Sequence, residues 1–366
     1  MVSDRVLRVR ERLTDVGVEA LLVTDLTNIR WLTGFTGSNG WVVVTPDGIS
    51  LVTDGRYGTQ AGRELAASGV DADVLVGLTG AATMQLLAGR CRSFGRVGFE
   101  SAHVTVLEHG QYAEVFDATL VPVVGVVEGE RRTKSAEEIA AIERACFIAD
   151  RALADVVPSL GDGLTESQVR NLLEQRMREL GASGPSYDTI VATGPLHAAL
   201  PHHRPTDTLI ESGHTVIIDV GALVDGYHSD MTRSFVVGTP SAQQQEMYDL
   251  VLAAQLAGLA AVGPGVAAIE IDRACREVVA AAGVGDWFSH GTGHGVGLLI
   301  HEDPYLNRAS QAILQVGDVV TVEPGVYHEG FGGVRVEDLV VVTSDGCRVL
   351  TSSAKDSPCP QSPPTT

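Results

Sequence analysis

The stretch His214-Thr-Val-Ile-Ile-Asp219-Val-Gly221-Ala-Leu-Val-Asp225-Gly226-Tyr227-His-Ser-Asp230-Met-Thr-Arg-Ser-Phe-Val-Val237 decides how this chain is read. Its first part is a buried-strand pattern, Asp225-Gly226 is a hairpin-turn dipeptide, and the chain resumes as a second strand. Asp219 and Asp230 lie at nearly equal distances on either side of a point between Val224 and Asp225. An antiparallel hairpin therefore brings them close to opposite each other on one face, with the final register left to the turn. Two carboxylates a few ångströms apart repel strongly unless a cation sits between them. A lone strand Asp is usually solvent-exposed, but Asp219 ends the apolar run Val216-Ile217-Ile218, which argues for burial and a partner.

A second hairpin repeats the device. Asp318-Val-Val-Thr-Val-Glu323-Pro-Gly-Val-Tyr327 leads through Glu329-Gly-Phe-Gly-Gly333 into Val334-Arg-Val-Glu337-Asp-Leu-Val-Val-Val342. Pro324 stops the ladder after Glu323 and Gly325 turns the chain. Arg335 shares a strand face with Glu337, where it could hold a substrate carboxylate or only neutralise the Glu. Between the hairpins, Ser289-His290-Gly-Thr-Gly-His294-Gly-Val-Gly-Leu-Leu-Ile-His301 carries three histidines on a glycine-rich segment. Those glycines argue against a helix, so the spacing of His290 and His294 is not the helical zinc-protease motif.

Asp219, Asp230, His294, Glu323 and Glu337 thus form a series of four carboxylates and one imidazole. Four carboxylates balance two divalent cations and leave room for one bridging water or hydroxide, the nucleophile a hydrolase needs. No cysteine takes part, which favours a harder ion, Mn²⁺ first, with Co²⁺ or Fe²⁺ as alternatives.

These segments resemble those of the pita-bread metallopeptidases, and within them the proline-specific branch of Xaa-Pro dipeptidases (prolidases) and aminopeptidases P. The likeness extends to Asn28-Ile-Arg-Trp-Leu-Thr-Gly-Phe-Thr-Gly-Ser38 and Thr53-Asp-Gly-Arg-Tyr57 in the N-terminal part. It implies a creatinase-like α/β N-terminal domain followed by an α+β pita-bread catalytic domain with a curved, mainly antiparallel sheet. In that scheme Asp219 chelates one ion, Asp230 and Glu337 bridge both, and His294 with Glu323 completes the second. Glu323 is the family's candidate proton shuttle. His290, His301 and Arg335 match substrate-pocket positions, and His202 of Pro201-His202-His203 matches a further histidine near the substrate, with His203 accessory.

The implied reaction is hydrolysis of Xaa-Pro bonds in proline-containing peptides by a homodimer, with a lean to dipeptides over the longer substrates of aminopeptidase P. Other readings fit less well. A methionine aminopeptidase usually lacks the large N-terminal domain and the Arg335 and His301 pair, while a creatinase-type or non-catalytic relative would have lost ligands.

Composition agrees with a soluble enzyme: 366 residues, 44% hydrophobic and 20% charged, allow two domains with proper cores. The net charge of −20 argues against nucleic acid and anionic membranes as partners. Five scattered cysteines without a Cys-x-x-Cys, and a charged N-terminus without a signal-like apolar run, place the expectation in the cytoplasm. The domain boundaries read as 1–127, a charged linker 128–133, a catalytic domain 134–352 and a disordered, proline-rich tail 353–366.

Overall fold

The computed structural model describes residues 2–161 and 163–359. The chain divides into two compact units between Arg131 and Arg132. Among the described residues no helix is long and apolar enough to cross a membrane.

In the first unit, β1 (Ala20–Val23), β2 (Gly40–Val44), β3 (Ile49–Asp54), β4 (Asp73–Gly77), β5 (Arg96–Glu100) and β6 (Thr119–Val123) form a mixed sheet in the order β4-β3-β2-β1-β5-β6. The meander β1-β2-β3 is antiparallel, and the strands that return after helices pair in parallel. Helices α1 (Val2–Asp15), α2 (Leu26–Thr33), α3 (Gly58–Ser68), α4 (Gly80–Cys91), α5 (Val106–Val115) and α6 (Val126–Arg131) complete the unit. The stretch expected as a linker is therefore structured at its start. Glu128 to Arg131 is the end of α6, and the buried Arg131 donates to Asn28 Oδ1 at 2.6 Å. A charged run reads as solvated only until a buried polar partner is known.

The second unit is α+β and its ladders are antiparallel. Its strands are β7 (Gly184–Pro185), β8 (Ile190–Thr193), β9 (Thr215–Asp219), β10 (Ala222–Val224), β11 (Tyr227–His228), β12 (Thr232–Val236), β13 (Gly293–Gly295), β14 (Glu302–Leu306), β15 (Val319–Val322), β16 (Gly325–His328), β17 (Gly332–Arg335), β18 (Asp338–Thr343) and β19 (Gly346–Val349). They flank helices α7 (Ala136–Val156), α8 (Glu166–Glu179), α9 (Gly194–His197), α10 (Ala242–Ala261) and α11 (Ala268–Ala281). Capping boxes start α7 at Ser135 and Glu138, α8 at Thr165 and Gln168, and α10 at Ser241 and Gln244.

Each hairpin is backed by a helix pair. Leu153 of α7 and Val169, Leu173 and Met177 of α8 pack on Val216, Ile218 and Phe235. Met247 and Val251 of α10 and Ile271 and Cys275 of α11 do the same for Val320, Val322 and Val340.

The expected disordered tail is corrected as far as the description reaches. Ser352 and Ser353 donate through backbone and hydroxyl to Asp150, Arg233 donates to Ser353 O at 3.0 Å, and Val236 N donates to Pro358 O at 2.8 Å. Low apolar content hides a segment held mainly by hydrogen bonds, with an ion pair from Lys355 to Asp338. Residues 360–366 lie outside the described residues.

Candidate metal centre and active site

The first hairpin turns on Asp225 and Gly226, both at positive φ, with Val224 facing Tyr227. That centre is one residue later than the symmetric estimate, so Asp219 faces Thr232 and Asp230 lies two positions along. A shift of two keeps a side chain on the same face. The ladder breaks between the β9–β12 and β10–β11 pairs, and there a Cβ on Gly221 would come within 2.0 Å of Ser229 O. Only glycine lets the strands close at the point where the carboxylates emerge.

The second hairpin keeps one register from Val322↔Asp338 to Gly325↔Arg335, which sets Glu323 opposite Glu337 across the break at Pro324. Its two acids come from one rung. The hairpins are joined edge to edge: Glu337 N donates to Thr232 O at 3.1 Å, and Arg335 N donates to Ser234 Oγ at 2.9 Å. His294 sits on β13, where its N–H donates to Thr321 Oγ1 at 3.0 Å, beside the strand that ends in Glu323.

All five expected ligands meet. Carboxylate oxygens of Asp219, Asp230 and Glu337 lie within 4.8 Å of one another. His294 Nε2 lies 3.5 Å from Asp230 Oδ2 and 3.4 Å from Glu323 Oε1. Its Nδ1 is 3.1 Å from Gly295 O, a pure acceptor, so Nδ1 carries a hydrogen and Nε2 is the nitrogen turned toward both carboxylates. Burial, reinforced by the carboxylates of Asp219 and Glu323, pushes Asp230 well above the usual carboxylate range. Burial, then Asp230 and Glu323, does the same to Glu337. Glu337 Oε2 accepts from Thr232 Oγ1 at 2.7 Å, but its buried Oε1 has no hydrogen-bond partner.

Those features test the site for cations. An orphaned buried carboxylate oxygen, an imidazole nitrogen aimed at two acids, and a carbonyl fixing the far side of that imidazole are what metal ligation requires. The residues present fit divalent metal.

Two further residues shape the site. Tyr187, in Ser183-Gly-Pro-Ser-Tyr187-Asp188, donates to Asp219 Oδ1 and lies 2.5 Å from Asp230 Oδ1, clasping both acids of the first hairpin. Burial and the neighbouring carboxylates raise its phenol well above the ordinary value, which keeps it a donor. No periodic pattern marks it in the sequence; a tyrosine in a polar turn is unremarked until the fold brings it to the acids. Arg335, read from sequence as either clamp or counter-charge, is committed to the protein. It donates from Nη2 to Asp219 Oδ2 at 2.6 Å, from Nη1 to Tyr327 Oη at 2.7 Å and Pro201 O at 3.0 Å, and from Nε to Thr232 Oγ1 at 2.9 Å. Those bonds use all but one of the N–H groups of a guanidinium, so a bidentate fork toward substrate is not free in this arrangement, and the carboxylate it pairs with is Asp219 rather than the Glu337 named from sequence.

The remaining histidines divide by position. His290 Nδ1 donates to Gly291 O at 2.8 Å, and burial lowers the ring's pKa, so the neutral Nε2 accepts from Tyr327 Oη at 2.9 Å. Arg335, Tyr327 and His290 therefore form one relay of hydrogen bonds. His301 is exposed, with its ring 4.4 Å from that of His294. His202, His290, His301, Tyr187, Ile190 and Ile300 line, with the five ligands, a cavity of about 520 Å³, a size suited to a small molecule. His203 is buried, with its Nε2 2.9 Å from Glu166 Oε2.

Comparison with known proteins agrees with this geometry. Residues 140–344 match metallopeptidase family M24, and residues 5–133 match the creatinase/prolidase N-terminal domain. An uncharacterized peptidase of Bacillus subtilis is 43% identical over 95% of this chain and 98% of its own length. The Xaa-Pro dipeptidase of Pyrococcus furiosus is 43% identical over 63% of this chain and 66% of its own length. Among solved structures, an Xaa-Pro dipeptidase from Bacillus anthracis superposes with a TM-score of 0.93 at 36% identity, covering 97% of this chain and 99% of that one. An X-Pro aminopeptidase from Thermotoga maritima does so with 0.87 at 33% identity, covering 95% and 98%. With residues 140–344 and 5–133 both matched, the chain belongs to metallopeptidase family M24 and carries the pita-bread fold behind a creatinase-type N-terminal domain.

Proposed function

We propose that this metallopeptidase hydrolyses the bond between a first residue and proline, with dipeptides as its preferred substrates. Two divalent ions, manganese by preference, are held by Asp219, Asp230, His294, Glu323 and Glu337, a set of oxygens with one imidazole that suits a hard ion. The observation that carries this reading is the unpartnered, buried Glu337 Oε1 among acids that, among the described residues, no Lys or Arg other than Arg335 touches. When bound, the ions supply an activated water and a polarised scissile carbonyl.

The chain's own residues do the rest. Glu323, half-buried and accepting from Thr321 Oγ1 at 3.2 Å through Oε1, takes the proton of the attacking water and returns it to the proline nitrogen. That nitrogen leaves as a secondary amine once protonated. Tyr187 and Arg335 hold the acids of the first hairpin in place, and His202, His290 and His301 face the peptide from the cavity wall.

The Xaa-Pro dipeptidases of Pyrococcus furiosus and Bacillus anthracis support the dipeptide preference, as does the modest cavity. Likeness to the Thermotoga aminopeptidase favours a second reading, cleavage of the first residue from longer Xaa-Pro peptides. The test is hydrolysis of Xaa-Pro dipeptides beside Xaa-Pro-Xaa tripeptides by the manganese-loaded protein. Faster turnover of the dipeptide is expected; exclusive cleavage of the tripeptide selects the second reading, and cleavage of neither rejects both.

A further inference from the structure

Outside the metal centre, Glu166, in the first turn of α8 and fully shielded from solvent, is a buried carboxylate with both oxygens multiply bonded. Its Oε1 accepts from Thr193 N at 2.8 Å and from His197 Nδ1 at 2.9 Å. Its Oε2 accepts from His203 Nε2, Thr206 N and Thr206 Oγ1, each at 2.9 Å. One carboxylate therefore grips both ends of the segment 193–206. Between these ends the chain presents Pro201 and His202 to the cavity, and Pro201 O accepts from Arg335 Nη1 at 3.0 Å. The His197 and His203 rings stack at 4.2 Å, closing the base of the loop.

Leu196 is 62% and Leu200 50% exposed, so apolar burial within the loop is confined chiefly to Ala198, and the hydrogen bonds to Glu166 are the contacts that hold both of its ends at once. A carboxylate suits this place because every one of its neighbours is a donor, and the N-terminus of its own helix favours negative charge. Where such an ionised acceptor is shielded from water, the bonds are stronger than neutral ones and leaving the donors unpaired is expensive.

We infer that Glu166 is a positioning residue: by clamping both ends of the 193–206 loop it sets His202 and the Pro201 carbonyl at the substrate cavity. This rests on the reading of His202 as substrate-facing, given above. Glutamine at 166 keeps one acceptor and turns an amide N–H₂ toward the other set of donors. A histidine can answer by changing tautomer, but a backbone N–H cannot, so Glu166→Gln releases one end of the loop and Glu166→Ala releases both.

The experiment has two arms on the metal-loaded, full-length protein. In the first, kcat and KM for an Xaa-Pro dipeptide are measured for Glu166→Gln, Glu166→Ala, His202→Ala and the Glu166→Ala, His202→Ala double variant, together with metal content. The expected result is a loss of roughly ten- to a hundredfold in kcat/KM for Glu166→Ala, smaller for Glu166→Gln, with two metals retained. The loss should fall on the same parameter as in His202→Ala, and the double variant should be within about twofold of His202→Ala. Multiplying losses in the double variant, or an unchanged kcat/KM in Glu166→Ala, would overturn the inference.

The second arm needs no activity. Hydrogen exchange in Glu166→Gln should speed up about tenfold or more at amides 195–206 and stay unchanged in the β9–β12 hairpin. Unchanged exchange at 195–206 overturns the clamp. A wild-type protein that cleaves no Xaa-Pro peptide would instead overturn the proposed reaction, and this second arm would still decide for or against the clamp.

Discussion

The two hairpins that build the metal centre use the same device with different support. In each, an antiparallel ladder breaks where a pair of acids leaves the strands, at Asp219 and Asp230 in one and at Glu323 and Glu337 in the other. The first pair is diagonal and clasped by protein donors, Tyr187 on both acids and Arg335 on Asp219. The second pair is directly opposed and poorly supplied: Glu337 has Thr232 on one oxygen and nothing on the other, and Glu323 has Thr321. The lesson is a division of labour. The first hairpin is preorganised by the protein, whereas the second depends on bound cations to offset the cost of buried, unpaired carboxylate oxygens.

The hardest blow to this contrast is the removal of an acid. Glu337→Ala should lower kcat/KM by a factor on the order of a hundred to a thousand, the scale for losing one electrostatic group from a water-excluded site. Elemental analysis should find fewer than two metals per chain, as it should for Asp230→Ala. Two retained metals with most of the activity would remove Glu337 from the ligand set.

Tyr187→Phe tests the clasp itself. Loss of the phenol should reduce metal affinity or activity by about ten- to a hundredfold, the usual effect of deleting a partner of a metal ligand. Thr232→Val, which strips Glu337 of its protein donor, is the matching change in the second hairpin. An unaffected Tyr187→Phe protein would mean that the first hairpin needs the cations as much as the second.

Metal removal sharpens the comparison further. If loading at a hundred times Kd contributes about 2.7 kcal/mol, chelation should lower Tm by several degrees. Amide exchange should then rise more around Glu323 and Glu337 than around Asp219 and Asp230. Equal rises in both hairpins would erase the difference in support.

The smallest effect concerns the loop that leans on the second hairpin through Pro201 O and Arg335. Burial alone would raise Glu166, but hydrogen bonds from His203, Thr206, His197 and Thr193 hold its pKa below the ordinary carboxylate value. A carboxylate lowered in this way stabilises the fold above its unfolded pKa, near 4.3, and the contribution fades as pH falls through the folded value. Glu166→Gln should therefore be less stable than the parent by about 1–3 kcal/mol at pH 7, with the gap narrowing below about pH 4. Denaturant titrations at the two pH values check this, and a gap that widens in acid contradicts it.

The centre was legible in the sequence because its signals are local. Alternating apolar residues, Asp225-Gly226, Pro324 and the glycines around His294 specify strands, turns and breaks without reference to the rest of the chain. They were enough to single out the five residues that the fold brings together. They also place both hairpin acids on one face, although the symmetric estimate put the turn one residue early, since only a shift of odd length changes faces.

What the tertiary structure alone decided is everything that depends on partners distant in sequence. Tyr187, Glu166 and the Ser352–Pro358 strap lie in polar, aperiodic stretches, and their importance comes from the donors and acceptors the fold brings to them. The charged run ending in Arg131 became helix because Asn28 answers it. Arg335 shows the same limit from the other side: its strand face follows from parity, but its commitment to Asp219, Tyr327, Thr232 and Pro201 does not. Periodicity is a property of neighbours along the chain and survives in one dimension, whereas the pairing of buried polar groups is settled only when separate segments share one dehydrated space.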